Sequence, residues 1–216
     1  MALLDLLLPP ACAGCGRYGR LLCDPCVGSL RPLSHARNQF SAPDPGMVVG
    51  DALILASAAF EHSGVARRAL QRLKYGGAGR LAAPLAQAAV PSLRELLTIS
   101  GRAPLVPVPV HPQRLRQRGY NQAALLAAVL GREANLPVAD VLVRRRATTR
   151  QHGLNRAARL HNLRGAFDVR TGMAAPVTAI LVDDILTTSA TLEACALSLQ
   201  SAGAQQVFGF AIAREV

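Results

Sequence analysis

The 216-residue chain is half apolar, carries a formal net charge of +11 that is nearly all arginine, and has few aromatic residues and no tryptophan. That length forms one ordinary core plus a small appendage, and charges or prolines break every apolar run before it reaches a membrane span. The charge suits an anionic partner, whether nucleotide, diphosphate or nucleic acid, while the scarcity of aromatic rings argues against an extended base-stacking platform.

Residues 1–10, Met-Ala-Leu-Leu-Asp-Leu-Leu-Leu-Pro-Pro, imitate a signal peptide in hydrophobicity alone. No basic residue leads the run and Asp5 interrupts it, so it reads as a short amphipathic helix, and the protein as cytoplasmic without membrane insertion. Next come Cys12-Ala-Gly-Cys15 and Cys23-Asp-Pro-Cys26. Two C-x-x-C pairs flanking a short loop are the spacing of a tetrahedral four-thiolate zinc site, each pair bending round the ion as a knuckle. Two disulfides or a redox pair are the rival readings; the first sits poorly in a cytoplasmic chain, and the second leaves one pair unexplained. Four thiolates leave no open position for water, so the zinc expected on Cys12, Cys15, Cys23 and Cys26 is structural. Residues 31–50 are rich in Pro, Ser, Asn, Gly and Asp and lack periodicity. This linker divides an N-terminal zinc-binding unit, residues 1–45, from a main domain, residues 46–216.

The main domain opens with an apolar strand over residues 52–60, a turn at 61–64 and a helix over 65–73 with Arg67, Arg68 and Arg72 on its polar side. Lys74 follows, ahead of Gly76, Gly77 and Gly79; it is either a helix-terminal cation before a glycine cap or a hand for a diphosphate. A helix over residues 80–97, interrupted at Pro91, leads to Val106-Pro-Val-Pro-Val110, read as a strand end. Arg114, Arg116 and Arg118 lie two residues apart. In an extended loop that spacing aims all three to one side, as phosphates require; a solvated basic turn is the plainer alternative. Gly119-Tyr-Asn-Gln122 opens a long alanine- and leucine-rich helix, with Asn121 as its cap or as a ligand contact.

A short strand near residues 138–143 precedes a basic stretch from Arg144 to Arg156 that includes Arg145, Gln151 and His152. It reads as an exposed loop leading into a short helix from about Asn155, with a return strand over residues 165–169. Then comes Thr178-Ala-Ile-Leu-Val-Asp-Asp-Ile-Leu-Thr-Thr-Ser-Ala-Thr-Leu-Glu193. Its apolar residues 179–182 suit a buried parallel strand, Asp183 and Asp184 follow at once, and Thr187, Thr188 and Thr191 precede an alanine-rich helix. Loop N–H groups and a helix N-terminus cradle phosphate. Carboxylates would repel it, so the acids have a different task, accepting ribose hydroxyls or holding a hydrated Mg²⁺. A sugar phosphate satisfies both halves; a loop start with ordinary helix caps is the alternative. Cys195 in the following helix reads as a small buried thiol, and residues 206–213 supply a last strand. Strands alternating with helices imply an α/β fold with a parallel sheet, whose ligands gather at the carboxyl ends of the strands.

The run of four apolar residues, two acids, two variable residues and Thr187-Thr-Ser-Ala-Thr191 resembles the phosphoribosyl-diphosphate (PRPP) signature of type I phosphoribosyltransferases, with Ser189 where that pattern has glycine. Other motifs join it in order: the four-cysteine knuckle, Leu73-Lys-Tyr-Gly76, Val106-Pro-Val-Pro-Val-His111, Arg118-Gly-Tyr-Asn-Gln122 and Thr148-x-x-Gln151. The set is similar to the ComF-type (ComFC-like) phosphoribosyltransferase family, associated with DNA uptake in naturally competent bacteria. The resemblance implies a type I phosphoribosyltransferase-like parallel sheet flanked by helices over residues 46–216, behind a small zinc knuckle. It implies that Asp183 and Asp184 are the catalytic-site carboxylates, binding the ribose hydroxyls of PRPP directly or through Mg²⁺. Thr187, Thr188, Ser189, Ala190 and Thr191 would hold the 5′-phosphate, and Lys74 and Arg118 would face the diphosphate. Arg145, Gln151 and Arg156 would belong to a hood that closes over PRPP. The implied function is Mg²⁺-dependent transfer of phosphoribosyl to an acceptor that no motif identifies. The second reading is a non-catalytic PRPP- or nucleotide-binding module that binds single-stranded DNA, with DNA-uptake proteins as partners.

Overall fold

The computed structural model describes residues 9–33, 47–48, 51–75, 77–146, 163 and 165–215. Its strands are β1 (Met47–Val48), β2 (Leu55–Glu61), β3 (Leu105–Pro107), β4 (Leu142–Arg144), β5 (Phe167–Val169), β6 (Thr178–Leu186) and β7 (Gln206–Arg214). Its α-helices are α1 (Asp24–Gly28), α2 (Gly64–Tyr75), α3 (Ala82–Ser100), α4 (Pro112–Arg118), α5 (Gln122–Ala134) and α6 (Ala190–Ser201). The main sheet has the order β1-β2-β7-β6-β3. β2, β7, β6 and β3 run parallel, β1 joins β2 antiparallel, and β4 and β5 make a separate antiparallel pair. The expected parallel α/β sheet flanked by helices is present. Among the described residues no helix is long and apolar enough to cross a membrane.

A strand covered on both faces needs apolar side chains on both, which is why β6 and β7 read as unbroken apolar runs. Ile180 and Val182 join Phe208, Phe210 and Ile212 in one core with Leu70 and Leu73 of α2, Leu85 and Leu93 of α3, and Leu126 and Leu130 of α5. Ala179 and Leu181 join Val207 and Ala211 in the other, against Leu192, Ala196 and Leu199 of α6 and Leu142 and Phe167 of the small sheet. One buried acid fastens α6, in the second of these layers, to the chain entering β2. Glu193 of α6 is 2% exposed and accepts the backbone N–H groups of Ala52 and Leu53, at 2.6 and 3.2 Å, where the chain enters β2. Glu193→Ala strands two buried donors, at about 1–3 kcal/mol each. A loss of about 3 kcal/mol in urea-unfolding stability is expected, and a loss below 1 kcal/mol would show the contact to be incidental.

Three expectations change. α3 runs through Pro91 without interruption, because its buried stripe continues from Leu85, Ala86 and Ala89 to Leu93 and Leu96. Packing along that stripe outweighs the roughly 3 kcal/mol that an interior proline costs. The segment carrying Arg114, Arg116 and Arg118 is the helix α4, not an extended loop. His111 caps it through Nδ1 and the Gln113 N–H, Pro112 fills the first position, and Gly119 closes it at φ 80°. On a helix, Arg114 and Arg118 share a face and Arg116 points away from it. Third, β6 extends past the acid pair to Leu186. The helices expected over residues 1–10 and from about Asn155 fall largely or wholly outside the described residues.

Candidate functional site

Because side chains alternate along a strand, the continuation of β6 sends its two acids to opposite faces of the sheet. Asp184 turns to the side of α2, where its Oδ2 lies 2.8 Å from Lys74 Nζ. The side chains are 5% and 18% exposed, so this is a largely buried ion pair. Asp183 turns to the other side, where its charge acts on Cys195 of α6 and Arg144 of β4. Burial, and then the neighbouring Asp184, push the Asp183 carboxyl up to about 8; Lys74 pulls the other way. Burial drives the Cys195 thiol well above its ordinary range, which makes it the inert core thiol expected.

Beyond the acids the chain turns through Thr187 and Thr188 into α6, whose N-cap is Ser189. Ser189 holds φ 58° and ψ −5°, a left-handed conformation that glycine adopts freely and serine does not. Its side chain is buried, and Oγ donates to the Thr188 carbonyl at 2.6 Å rather than capping the helix. The first-turn N–H groups of α6, including those of Ala190 and Thr191, therefore receive no side-chain cap and face the loop end. The strain at Ser189 costs about 1 kcal/mol. Ser189→Gly is expected to raise the melting temperature by about 2–4 °C. Ser189→Ala, which keeps the strain and loses the hydrogen bond, is expected to lower it; equal shifts for the two variants would rule out backbone strain.

Lys74 and Arg118, which the sequence places 44 positions apart, line one cavity of about 330 Å³ with Tyr75, Arg114, Gln117 and Tyr120. Arg118 stacks over the Tyr75 ring at 5.1 Å and donates to Gln122 Oε1 at 2.9 Å. Tyr120 Oη donates to the Leu73 carbonyl, fixing α5 to the end of α2. Asn121 proves to be the cap of α5: Oδ1 accepts from Ala123 N–H while Nδ2 donates to the Val108 carbonyl. Arg145 stands apart, exposed beside the small sheet and paired with Asp168 at 2.8 Å. Gln151 and Arg156 lie outside the described residues. A signal the spacing rules overlook marks Lys74: it is the single lysine among 24 basic residues, so a chain that uses arginine everywhere else keeps an amine at this one position. An ammonium is a compact point charge on a flexible stem, whereas a guanidinium is a planar fork.

The four N-terminal cysteines converge. Their sulfurs all lie within 4.8 Å of one another, with Cys12–Cys23 and Cys15–Cys23 at 3.6 Å. Four sulfurs about 2.3 Å from one tetrahedral ion would stand about 3.8 Å apart, whereas a disulfide needs about 2.05 Å. The cluster thus has the dimensions of a four-coordinate zinc site. Gly14 and Cys23 donate their N–H groups to Cys12 Sγ at 3.3 and 3.4 Å. Gly14 has no substitute, since a Cβ there would stand 2.6 Å from Cys26 Sγ. Burial raises the Cys12 thiol, but the N–H groups of Cys23, Cys15 and Gly14 together bring it down to about 6. Burial and the neighbouring thiols push Cys26 up to about 12.

About half of this chain has competence-protein relatives. It is 34% identical over 113 residues to Competence protein F of Haemophilus influenzae, covering 51% of this chain and 49% of that protein. It is 35% identical over 111 residues to Competence protein ComFC of Bacillus subtilis, covering 51% and 44%. A third relative, DNA utilization protein YhgH of Escherichia coli K12, is 35% identical over 107 residues, covering 48% and 45%. The chain spans about half the length of the curated relatives it matches. No family model matches it. The resemblance drawn from the ordered motifs is thereby borne out at the level of named relatives.

Proposed function

We propose that residues 46–216 form a phosphoribosyltransferase-like unit that binds Mg²⁺–PRPP at the carboxyl end of β6 and transfers phosphoribosyl to an acceptor, in the service of DNA uptake or use. The relatives named for competence and DNA utilisation support the process. The observation that carries the site is the acid pair Asp183–Asp184 standing immediately before the uncapped N-terminus of α6, with Lys74 at 2.8 Å. Asp183 and Asp184 would accept the ribose hydroxyls or hold the Mg²⁺ that accompanies PRPP, and the cation supplies charge neutralisation for the departing diphosphate. The N–H groups and hydroxyls from Thr187 to Thr191 would hold the 5′-phosphate. Lys74, Arg114 and Arg118 on the 330 Å³ cavity would bind the diphosphate, and fixed cations there stabilise the negative charge that builds as it leaves. Arg145, with Gln151 and Arg156 beyond the described residues, would belong to the hood that excludes water. The knuckle, residues 1–45, would carry one structural zinc on Cys12, Cys15, Cys23 and Cys26.

Calorimetric titration of the whole protein with Mg²⁺–PRPP tests the binding. A saturable heat is expected; its absence from correctly folded protein overturns the reading. Ser189 favours a second reading, in which PRPP is bound without turnover and the basic surface holds single-stranded DNA, because its buried side chain occupies the loop position where the resembled signature has glycine. Diphosphate release followed across a panel of nucleobases separates the two: release with any base supports transfer, and silence across the panel with PRPP still bound supports the module.

A further inference from the structure

The knuckle and the acid pair are joined by a single helix. Cys12, Ala13, Leu22, Cys23, Cys26 and Leu30 pack in the same core as Val65, Ala66 and Ala69 of α2. Two arginines of that helix fasten the knuckle's backbone. Arg68 Nε donates to the Gly14 carbonyl at 2.9 Å, inside the first cysteine pair, and Arg72 Nη1 donates to the Ala11 and Cys12 carbonyls at 3.4 Å each. Arg68 and Arg72 are four residues apart and so share a face, one turn above the other. Lys74 lies two residues further on, about 200° round from Arg72 at 100° per residue, so it projects from the opposite side toward Asp184. α2 therefore acts as a short rigid bar, with the cysteine cluster on one side and the ion pair on the other.

We propose that Arg68 and Arg72 are positioning residues that clamp the four-cysteine knuckle to α2 and thereby hold Lys74 against Asp184, so that the metal state of the knuckle is felt at the carboxyl end of the sheet. The inference rests on the zinc reading of the cluster and concerns the cation of the proposed PRPP site, but its test requires no PRPP. Zinc fixes the carbonyls of Ala11, Cys12 and Gly14 as acceptors by holding the thiolates that flank them. When those carbonyls move, the two guanidinium groups lose their partners and α2 loses one of the surfaces that sets its rotation and height. The ammonium at its last turn then leaves a carboxylate that tolerates little displacement, since a buried pair depends on close contact.

Because Lys74 is the only lysine, acylation of side-chain amines followed by mass spectrometry reports on this one group. In the zinc-loaded whole chain, the pair should shield Lys74. Arg68→Ala with Arg72→Ala, still holding zinc, should label at Lys74 at least about fivefold faster, and chelation of the unaltered protein should give the same acceleration. Arg68→Gln with Arg72→Gln, which keeps an N–H donor at each position and adds no amine, should restore part of the protection. Glu193→Ala serves as a control for general loosening, since its contacts lie in the core layer that does not contain the knuckle, and it should leave Lys74 labelling at the original rate. Unchanged labelling in a zinc-loaded alanine variant overturns the proposal. Acceleration of equal size in Glu193→Ala also overturns it, because the effect would then be global. If the alanine pair fails to fold, the glutamine pair decides alone: labelling between the rates of the unaltered and chelated proteins supports the clamp, and labelling equal to the chelated rate, with zinc in place, overturns it. The Mg²⁺–PRPP titration stands apart, so loss of that reading leaves this one to succeed or fail by itself.

Discussion

Asp183→Asn is expected to stabilise the free protein at pH 8 and Asp184→Asn to destabilise it, although each should abolish the heat of Mg²⁺–PRPP binding. The asymmetry follows from the opposite faces of β6 on which the acids stand. Asp184 is the partner of a lysine only 18% exposed, and removing its charge leaves that ammonium buried alone. Breaking such a pair costs about 3 kcal/mol, or about 6–12 °C in melting temperature for a chain of this size. Among the described residues Asp183 has no such partner. Burial and the charge of Asp184 hold its carboxyl up at about 8, from an ordinary 3.8. Between those values the folded protein binds a proton that the unfolded chain releases, so stability falls as pH rises through the window and is flat above it. Asparagine removes the slope and keeps the Oδ1 that accepts the Asp184 N–H at 2.8 Å. Since Asp183 retains some contact with water, the expected gain is only about 1 kcal/mol at pH 8, vanishing near pH 4. Thermal melts from pH 4 to 9 check the slope, and parallel curves for the variant and the original would refute the assignment. By the same linkage, Mg²⁺–PRPP binding to the unaltered protein should expel a proton at pH 7, seen as a buffer-dependent calorimetric heat.

Metal removal is the second large effect. Purified protein should carry about one zinc per chain, the stoichiometry of a single four-thiolate site. Stripping it with a strong chelator, or replacing Cys26 with serine, should lower the melting temperature by about 10 °C. The loss is large because the cysteines are part of the main core with Leu70, Leu85 and Phe210, not of a detached appendage. Cys12 near 6 supplies a thiolate at neutral pH, whereas Cys26 near 12 gives up its proton only to the ion. Zinc uptake should therefore acidify an unbuffered solution, and zinc should be released as pH falls. Metal-free protein that melts at the original temperature with four free thiols would exclude a structural role.

Much of this was legible in residue order. Apolar runs separated by turns gave the parallel sheet, and the paired C-x-x-C spacing gave the cysteine cluster, because both depend on local geometry. The divergence of Asp183 and Asp184 was hidden because it depends on β6 continuing to Leu186, a length set by pairing with β7 up to Arg214. The arginine alternation conceals α4, although Pro112 and Gly119 bracket it with ordinary start and stop signals. The meeting of Lys74 with Arg118 was out of reach for periodicity, since tertiary contacts, Tyr120 on the Leu73 carbonyl and Arg118 on the Tyr75 ring, bring those segments together.

The outer edge of β3 has a consequence for self-association. Leu105 gives its N–H to the Pro137 carbonyl and its own carbonyl to the Ala139 N–H, while Pro107 has no N–H to offer. An incoming strand finds no open ladder at Leu105 or Pro107, so strand addition at β3 is not a route by which copies of this chain join their sheets.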